Sequence, residues 1–425
     1  MVDELVEHYE AVIIGAGPGG LAAAAALLDG GLRRILWVDR RFRGGTLNEN
    51  YREISSNTKV GLYLEAIRSS LACSEDVARA TEPNAWTALD RLDHDDTCQL
   101  SLAGDLICMM VDGLCESDAI DKCVDEVKRA ERSPESQTPT PTPAPTPTPT
   151  FTPEYRFVLD DTWNIAMVHR RVVARRLILC TGSRPIVLDI HARYHPDIRV
   201  IDLDTCMSRA RFASELPENE TSTVAVVGNS HSGVLCCRNL YELAESGKRS
   251  LGIVNFHRQP IRFAEYREEG IVYDNSGLKG ATAVWARDVM GRLGRSEDGH
   301  DILQVDLKPA HDKEADQGEE EGLVYKRELP RCTHIVYAVG YEPAPLPDIY
   351  VDRQRINGSL RFDMITSGFR LRTADEVEDE VVAGLFGCGI AFPEKVADPE
   401  GHVEAAVGVT KFFRFAQRVR DVWAG

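Results

Sequence analysis

Two glycine-rich segments have the residue types and spacing that bind phosphate groups. The first is Gly15-Ala16-Gly17-Pro18-Gly19-Gly20, and the second is Gly228-Asn229-Ser230-His231-Ser232-Gly233. Each follows a short apolar run and opens a helix-like run, so a phosphate would meet the positive end of a helix. Small residues at the first, third and sixth positions allow a tight turn, the approach of a pyrophosphate and close packing of helix on strand. The sequence therefore predicts two dinucleotide sites, an arrangement suited to moving hydride between two cofactors.

The first site has an acidic residue where a ribose hydroxyl would bind. Asp39 directly follows the apolar run Arg34 to Val38, 24 residues after Gly15. A carboxylate at the end of this strand can accept a hydrogen bond from a ribose 2′-hydroxyl. We assign the adjacent Arg40 to the same site.

The second site lacks that carboxylate. Arg258 stands at the end of its second strand, where an arginine can pair with a 2′-phosphate that an acid would repel. This favours NADPH over NADH, with a plain surface arginine as the alternative. His231 is expected near the phosphates of the nicotinamide dinucleotide, or simply at the start of the helix.

Composition and charge exclude several classes of protein. The chain has 425 residues, 43% of them apolar, and a formal net charge of −18, so we expect no nucleic-acid partner. The longest apolar run, Leu21 to Leu28, is too short for a membrane span, and no cationic signal peptide opens the chain. We therefore expect a cytoplasmic protein. The eleven cysteines show no metal-ligand spacing, and we predict no metal site.

The elements that would position these residues form two βαβ units. Strands are predicted at Ala11 to Ile14, Arg34 to Val38, Val224 to Val227 and Gly252 to Phe256, with helices at Gly20 to Leu28 and about Ser232 to Glu245. A Pro/Thr-rich segment, Ser133 to Pro153, is predicted to be a disordered insertion at the tip of a β-hairpin. The acidic stretch His311 to Glu321 is expected to be a solvated hairpin connection, and a C-terminal helix is predicted over His402 to Val422.

With these segments the chain resembles flavoproteins that contain two dinucleotide-binding domains. Leu179-Cys180-Thr181-Gly182-Ser183-Arg184-Pro185 is similar to the return strand of their FAD domain, and Ile335 to Pro343, with Gly340, to the strand that closes their NADPH domain. Leu385-Phe386-Gly387-Cys388-Gly389 is similar to the late segment that meets the ribityl chain of the flavin.

The resemblance implies an α/β fold with two Rossmann-like, three-layer domains, the NADPH domain being inserted into a discontinuous FAD domain. The predicted domains are 1–217 for the first part of the FAD domain, 218–350 for the NAD(P)H domain and 351–425 for the rest of the FAD domain. The first glycine segment would bind FAD and the second NADPH.

Within this superfamily, the region after Asp39 separates two chemistries. Gly44-Gly45-Thr46 is followed by no cysteine pair of the disulfide-reductase kind, and adjacent Cys236-Cys237 would make only a strained disulfide. Together with Tyr51 to Lys59, the glycine-glycine-threonine segment instead resembles flavin-containing monooxygenases. There the matching asparagine, Asn57 here, lies beside the flavin where the reduced ring reacts with oxygen. The alternative is that Asn57 caps a helix beginning near Thr58.

The resemblance implies a monooxygenase that uses FAD, NADPH and O2 to oxygenate a small organic molecule, such as a secondary metabolite, through a C4a-(hydro)peroxyflavin. One alternative is an NAD(P)H-dependent flavin oxidoreductase, either a quinone reductase or an oxidase. A further alternative is a nucleotide-binding redox sensor or scaffold with little turnover. A homodimer is left open.

Overall fold

The computed structural model describes residues 7–132, 155–160, 170–218, 220–247, 250–291, 302–307, 317–351, 353–372 and 380–425. The predicted Pro/Thr-rich insertion lies outside these residues.

The helices are α1 (Pro18–Asp29), α2 (Gly45–Asn50), α3 (Val60–Arg68), α4 (Leu71–Arg79), α5 (Ala85–Asp90), α6 (Leu100–Cys115), α7 (Ile190–Tyr194), α8 (Leu203–Cys206), α9 (Arg209–Glu215), α10 (His231–Glu245), α11 (Gly280–Trp285), α12 (Gln317–Glu328) and α13 (Val409–Ala424). The strands are β1 (Glu7–Tyr9), β2 (Ala11–Ile14), β3 (Ile35–Asp39), β4 (Ser55–Lys59), β5 (Thr97–Gln99), β6 (Ile120–Val124), β7 (Glu126–Arg132), β8 (Tyr155–Asp160), β9 (Arg170–Ala174), β10 (Leu177–Leu179), β11 (Ser183–Pro185), β12 (Arg199–Ile201), β13 (Ser222–Val227), β14 (Leu251–His257), β15 (Glu265–Arg267), β16 (Gly270–Val272), β17 (Ile302–Asp306), β18 (His334–Tyr337), β19 (Tyr341–Pro343), β20 (Asp348–Val351), β21 (Gln354–Arg355), β22 (Leu360–Asp363), β23 (Gly368–Leu371), β24 (Glu380–Gly387), β25 (Lys395–Ala397) and β26 (Val403–Ala405).

The first glycine segment belongs to a mostly parallel sheet of order β22-β23-β24-β10-β2-β3-β6. The strands from β24 to β6 run parallel, and β22 and β23 continue the sheet antiparallel. Its central strand β2 is apolar because both faces are covered, and Ala11 and Ile13 are fully buried. The alanine-rich helix α1 packs against α13, since small side chains let two helices approach closely.

The second glycine segment belongs to a fully parallel sheet of order β12-β18-β13-β14-β17. The βαβ unit β13–α10–β14 has the element order predicted from the sequence. β12 joins this sheet by pairing with β18, although it precedes residue 217, where we placed the domain boundary. The predicted α/β class with Rossmann-like parallel sheets is confirmed.

A third sheet has the order β1-β9-β8-β7-β20-β21. Within it β7 and β8 pair antiparallel, with Arg132 opposite Tyr155, so the strands on either side of the Pro/Thr-rich segment are neighbours. Among the described helices, none is both long enough and apolar enough to cross a membrane.

Two local predictions are wrong. Gln317 to Glu321 begin helix α12 and are not a hairpin connection, because acidic residues favour the positive first turn of a helix and Tyr325 packs on Phe256 with ring centroids 5.2 Å apart. The C-terminal helix begins at Val409 and not at His402, since β26 pairs with β25 in an antiparallel hairpin before the helix starts.

Candidate functional site

Three glycine segments, all distant in sequence, meet at the end of the first parallel sheet. A Cβ atom on Gly19 would lie 2.7 Å from the Cα of Gly389, and one on Gly45 would lie 2.8 Å from the Cα of Gly17. No side chain fits between these backbones. The structure therefore brings together glycines predicted separately as cofactor residues.

The turn between β2 and α1 also requires glycine. Gly15 has φ +106°, and a Cβ there would lie 2.2 Å from the carbonyl oxygen of Cys180. Gly20 is held close to that turn, since a Cβ on it would meet the carbonyl oxygen of Gly15 at 1.9 Å. Pro18 occupies the first turn of α1, where its missing N–H costs nothing.

Asp39 fixes the local backbone and keeps some capacity to bind a ligand. Its carboxylate accepts hydrogen bonds from the backbone N–H groups of Ala16, Arg41 and Phe42 at 2.7 to 2.8 Å. A carboxylate has about four acceptor positions, so one remains for a ribose hydroxyl. Arg40 points elsewhere: its side chain is 65% exposed and pairs with Glu126.

The remaining residues predicted at the first site lie on or directly after elements that adjoin these glycines. Thr46 is in the short helix α2, which begins at Gly45, and Gly387 ends β24. Thr181 and Gly182 follow β10, and the hydroxyl of Thr181 is buried without a hydrogen-bond partner. A buried, unpaired hydroxyl is costly, so Thr181 fits a position that a bound ligand would complete.

The second glycine segment repeats the geometry of the first. Gly228 has φ +109°, and a Cβ on it would meet the carbonyl oxygen of Ala338 at 2.2 Å. A Cβ on Gly233 would lie 2.2 Å from the carbonyl oxygen of Gly228. Ser230 precedes α10 in an extended conformation, with φ −77° and ψ −170°, and its side chain makes no capping hydrogen bond. Gly340, at φ +111°, follows β18 beside this turn.

Other residues predicted at the second site have specific partners. The side-chain amide of Asn229 donates to the carbonyl oxygen of Gln259 at 2.6 Å. His231 begins α10, and burial lowers its pKa to about 4 while its Nε2 has no hydrogen-bond partner. Arg258 is held by Glu321 through two contacts of 2.8 Å, one from each of Nε and Nη2. Glu321 lies in α12, an element the sequence analysis did not predict.

Asn57 lies in strand β4 and lines a cavity of about 580 Å³. Helix α3 begins at Val60 with Lys59 before it, so the alternative of Asn57 as a helix cap is wrong. The side-chain oxygen of Asn57 is buried and has no hydrogen-bond partner. The cavity wall also includes Gly408 and Val409 at the start of α13. Asn57 therefore combines a place in the cavity lining with a buried, unpaired amide oxygen.

Sequence reasoning missed two groups of polar side chains. Tyr51 donates a hydrogen bond of 2.5 Å to Asp204, and its hydroxyl lies 3.1 Å from that of Tyr341. Burial raises the pKa of both tyrosines and of Asp204. The second group, at Asp274 and Lys411, lies on the wall of the Asn57 cavity. No local motif indicates either group, because each joins residues from distant parts of the chain.

The described residues include no group of three or more His, Cys, Asp or Glu side chains that could hold a metal ion. Cys236 and Cys237 are free, buried thiols in α10. The polar features of the site are therefore backbone cradles, hydroxyls, an amide and ionic side chains. They fit a site that positions organic cofactors.

Comparison with known proteins places this architecture in a functional context. The chain matches no protein-family profile. It is 36% identical over 419 residues to the monooxygenase AgnR1 from Paecilomyces divaricatus, and the match covers 97% of each chain.

Solved structures of flavin-dependent monooxygenases share the fold at low sequence identity. The FAD-bound cadaverine monooxygenase DfoA from Erwinia amylovora has a TM-score of 0.56 and 11% identity, over 98% of this chain and 93% of its own. A flavin-containing monooxygenase from Stenotrophomonas maltophilia has a TM-score of 0.52 and 13% identity, over 98% of both chains. The ornithine hydroxylase PvdA from Pseudomonas aeruginosa has a TM-score of 0.51 and 12% identity, also over 98% of both chains.

The identity to AgnR1 extends over nearly the whole of both proteins. This chain is an oxidoreductase and belongs to the flavin-dependent monooxygenase superfamily.

Proposed function

We propose that this protein binds FAD at the first glycine segment and NADPH at the second, and oxygenates a small organic molecule with O2. Bound flavin would accept hydride from NADPH and activate oxygen. The chain's own contribution is to bind and orient both dinucleotides and to enclose the substrate near Asn57. The observation that carries the proposal is the repeated cradle, in which two glycine turns of the same geometry end two parallel sheets.

The first cradle fits a flavin dinucleotide in several respects. Side chains at Gly19 and Gly45 would clash with the facing backbones of Gly389 and Gly17, as expected where a backbone closely approaches a pyrophosphate. Asp39 keeps one acceptor position for a ribose hydroxyl, and Thr181 has an unpaired hydroxyl. The Oδ1 of Asn57, also unpaired, would accept a hydrogen bond from a protonated group beside the flavin.

The second cradle differs in charge from the first. Arg258 supplies a guanidinium where the first site has a carboxylate, which favours the 2′-phosphate of NADPH. In the structure that guanidinium is engaged by Glu321, so binding of the phosphate requires Arg258 to exchange one anionic partner for another.

A matched pair of substitutions tests the two assignments. Gly17 and Ser230 hold equivalent positions: each precedes its helix, with φ/ψ of −84°/−171° and −77°/−170°. Aspartate is a favoured residue before a helix, so it should leave the fold intact while placing a negative charge against a pyrophosphate. We expect Gly17→Asp to purify without flavin. Ser230→Asp should retain flavin, but NADPH should reduce that flavin at least about tenfold more slowly than in the wild type.

The exchange variants Gly17→Ser and Ser230→Gly are the controls, because they alter these positions without adding charge. A Cβ on Gly17 would lie 3.6 Å from Gly45, an ordinary contact, so both controls should bind flavin and react with NADPH. Loss of flavin from Ser230→Asp, or unchanged flavin content in Gly17→Asp, would contradict the assignments. Circular dichroism and thermal melting verify that all four proteins are folded.

A further inference from the structure

Two lysines lie in the wall of the cavity that Asn57 lines. Lys279 and Lys411 both donate to the carboxylate of Asp274, Lys411 at 2.6 Å, and Lys411 also donates to the side-chain oxygen of Asn275. The side chain of Lys279 is 12% exposed, and that of Lys411 is 28% exposed. These ammonium groups are held in the protein wall and do not extend into bulk solvent.

Lys279, Lys411 and Asp274 together carry one net positive charge, in a cavity wall that also includes the acids Glu269, Asp398 and Glu404 and the base Arg414. Burial raises the pKa of Asp274, but hydrogen bonds from Lys279 and Lys411 outweigh it and hold that pKa below its ordinary value. Asp274 is therefore ionised at neutral pH, and it balances only one of the two ammonium groups. Each ammonium has three N–H donors. The hydrogen bonds among the described residues use one donor of Lys279 and two of Lys411, so both keep donors for a ligand.

The other carboxylates nearby are bound by donors of the protein. Glu404 accepts a hydrogen bond of 2.9 Å from the backbone N–H of Asn275 and another from the hydroxyl of Ser276. Asp398 accepts hydrogen bonds from the backbone of Tyr273 and from its own turn, which outweigh burial and lower its pKa to about 2. These acids have defined structural partners, whereas the ammonium groups have unused donors.

The rest of the cavity fits an apolar body attached to an anionic group. Leu62, Ile271, Val396 and Val409 contribute apolar surface to its lining, and Glu269 is exposed beside Gly270. A volume of about 580 Å³ lies within the range of small-molecule sites. A charged group of the ligand would meet the lysines, and the apolar body would fill the remaining space.

We propose that Lys279 and Lys411 form an oxyanion subsite for the substrate, which binds a carboxylate or an ionised phenol in the cavity lined by Asn57. This inference rests on the proposed function, because it identifies the substrate class of that same site. The class is a small, largely apolar molecule with one negatively charged oxygen group.

The test measures binding of matched probes to the purified, flavin-loaded protein by isothermal titration calorimetry, without NADPH. One pair is 2-naphthoate and its neutral analogue 2-naphthamide, and the other is ionised 4-nitrophenol and 4-nitroanisole. We expect at least one anionic probe to bind about tenfold more tightly than its neutral analogue. A preference in the first pair identifies a carboxylate, and one confined to the second pair identifies a phenolate.

Two lysine variants and a control locate the effect. Lys279→Met and Lys411→Met should each remove most of the preference for the anionic probe and leave binding of the neutral probe unchanged. Lys395→Met, which alters an exposed lysine next to Val396, should behave as the wild type.

Three results would overturn the subsite. The first is equal binding of the anionic and neutral probes in both pairs. The second is that Lys279→Met and Lys411→Met weaken binding of the anionic and neutral probes equally. The third is loss of flavin from those variants, which would assign the lysines to the cofactor. Failure of the proposed function is distinguishable from failure of the subsite. It would be seen in the reaction of the reduced protein with O2, whether or not the anionic probes are preferred.

Discussion

At the scale of single residues, the two dinucleotide sites differ most at the ends of β3 and β14. Asp39 is held by three backbone N–H groups and has one acceptor position left. Arg258 is paired with Glu321, which competes for the same guanidinium that a 2′-phosphate needs. Under the proposed function, the preference for NADPH over NADH should depend on Glu321 as well as on Arg258.

We expect opposite effects from substitutions of these two partners. Arg258→Ala should raise the KM for NADPH by about tenfold or more, with a much smaller effect on NADH, because only NADPH has the 2′-phosphate. Glu321→Gln should lower the KM for NADPH by roughly threefold, since it removes the competing charge. Steady-state kinetics with both nucleotides provide the measurement. Equal changes for NADPH and NADH in Arg258→Ala would refute the 2′-phosphate role.

His231 makes stability depend on pH. Its pKa is about 4 in the folded protein against 6.5 for an unperturbed histidine, because burial disfavours the charged ring. Between these values the unfolded state binds more protons, so this histidine makes the folded state less stable as pH falls from 6.5 towards 4.

The variant His231→Leu should lose this part of the acid sensitivity. Denaturant unfolding at pH 7 and pH 5 gives the free energy of unfolding of both proteins. Its decrease with falling pH should be smaller in His231→Leu than in the wild type, by about 1.4 kcal/mol for each pH unit below 6.5. His257 and His334, whose pKa values burial also lowers, are present in both proteins and cancel in the comparison. Identical pH effects in the two proteins would contradict the assignment.

At the scale of elements, α13 joins the end of the chain to the first dinucleotide-binding unit. It packs against α1 and α3. Phe413 and Trp423 are fully buried on its inner face, and Val422 is 50% exposed on its outer face. Its first turn also borders the Asn57 cavity, so the helix contributes both to stability and to the site.

Truncating the inner face should be costly. Trp423→Ala is expected to lower the free energy of unfolding by about 3–5 kcal/mol, because it removes a large buried side chain and leaves a cavity. The adjacent Val422→Ala should change it by no more than about 0.5 kcal/mol, as is usual for exposed positions. Chemical denaturation of both variants makes the comparison. Similar losses in both would mean that the packing of α13 is not as described.

The sequence predicted these elements unequally. The βαβ units were predictable because buried parallel strands are continuously apolar and the glycine turns lie at fixed spacing. Helix α12 was not predictable, since its acidic start suggested a solvated connection and the packing of Tyr325 against Phe256 is visible only in the folded protein. The β25–β26 hairpin was also missed, because the short strands before α13 have no strong pattern of their own.

At the scale of the whole molecule, the candidate site is formed by parts of the chain that are far apart in sequence. Gly19 meets Gly389, and Asp274 meets Lys411 across 137 residues. The motifs identified the nucleotide cradles because each is local. The residues that line the Asn57 cavity could not be identified in the same way, because they become neighbours only after folding.

The domain limits remain a prediction of the sequence analysis. Because β12 belongs to the second parallel sheet, we propose that the NADPH domain begins before Arg199 and not at residue 218. The strands of the first sheet come from both sides of this region in sequence, which is the arrangement expected for an inserted domain.

In the proposed reaction, electrons from NADPH pass through bound flavin to O2, and one oxygen atom enters a substrate. The most direct test is rapid mixing of the NADPH-reduced protein with oxygenated buffer, recording absorbance and hydrogen peroxide for the wild type and Asn57→Ala. For the wild type we predict a transient spectrum distinct from both reduced and oxidised flavin, which decays faster with substrate and releases little peroxide. Asn57→Ala should shorten the transient and release more peroxide, because the amide beside the flavin is lost. Direct return of the wild type to oxidised flavin, with one peroxide for each NADPH, would contradict the account and indicate an oxidase.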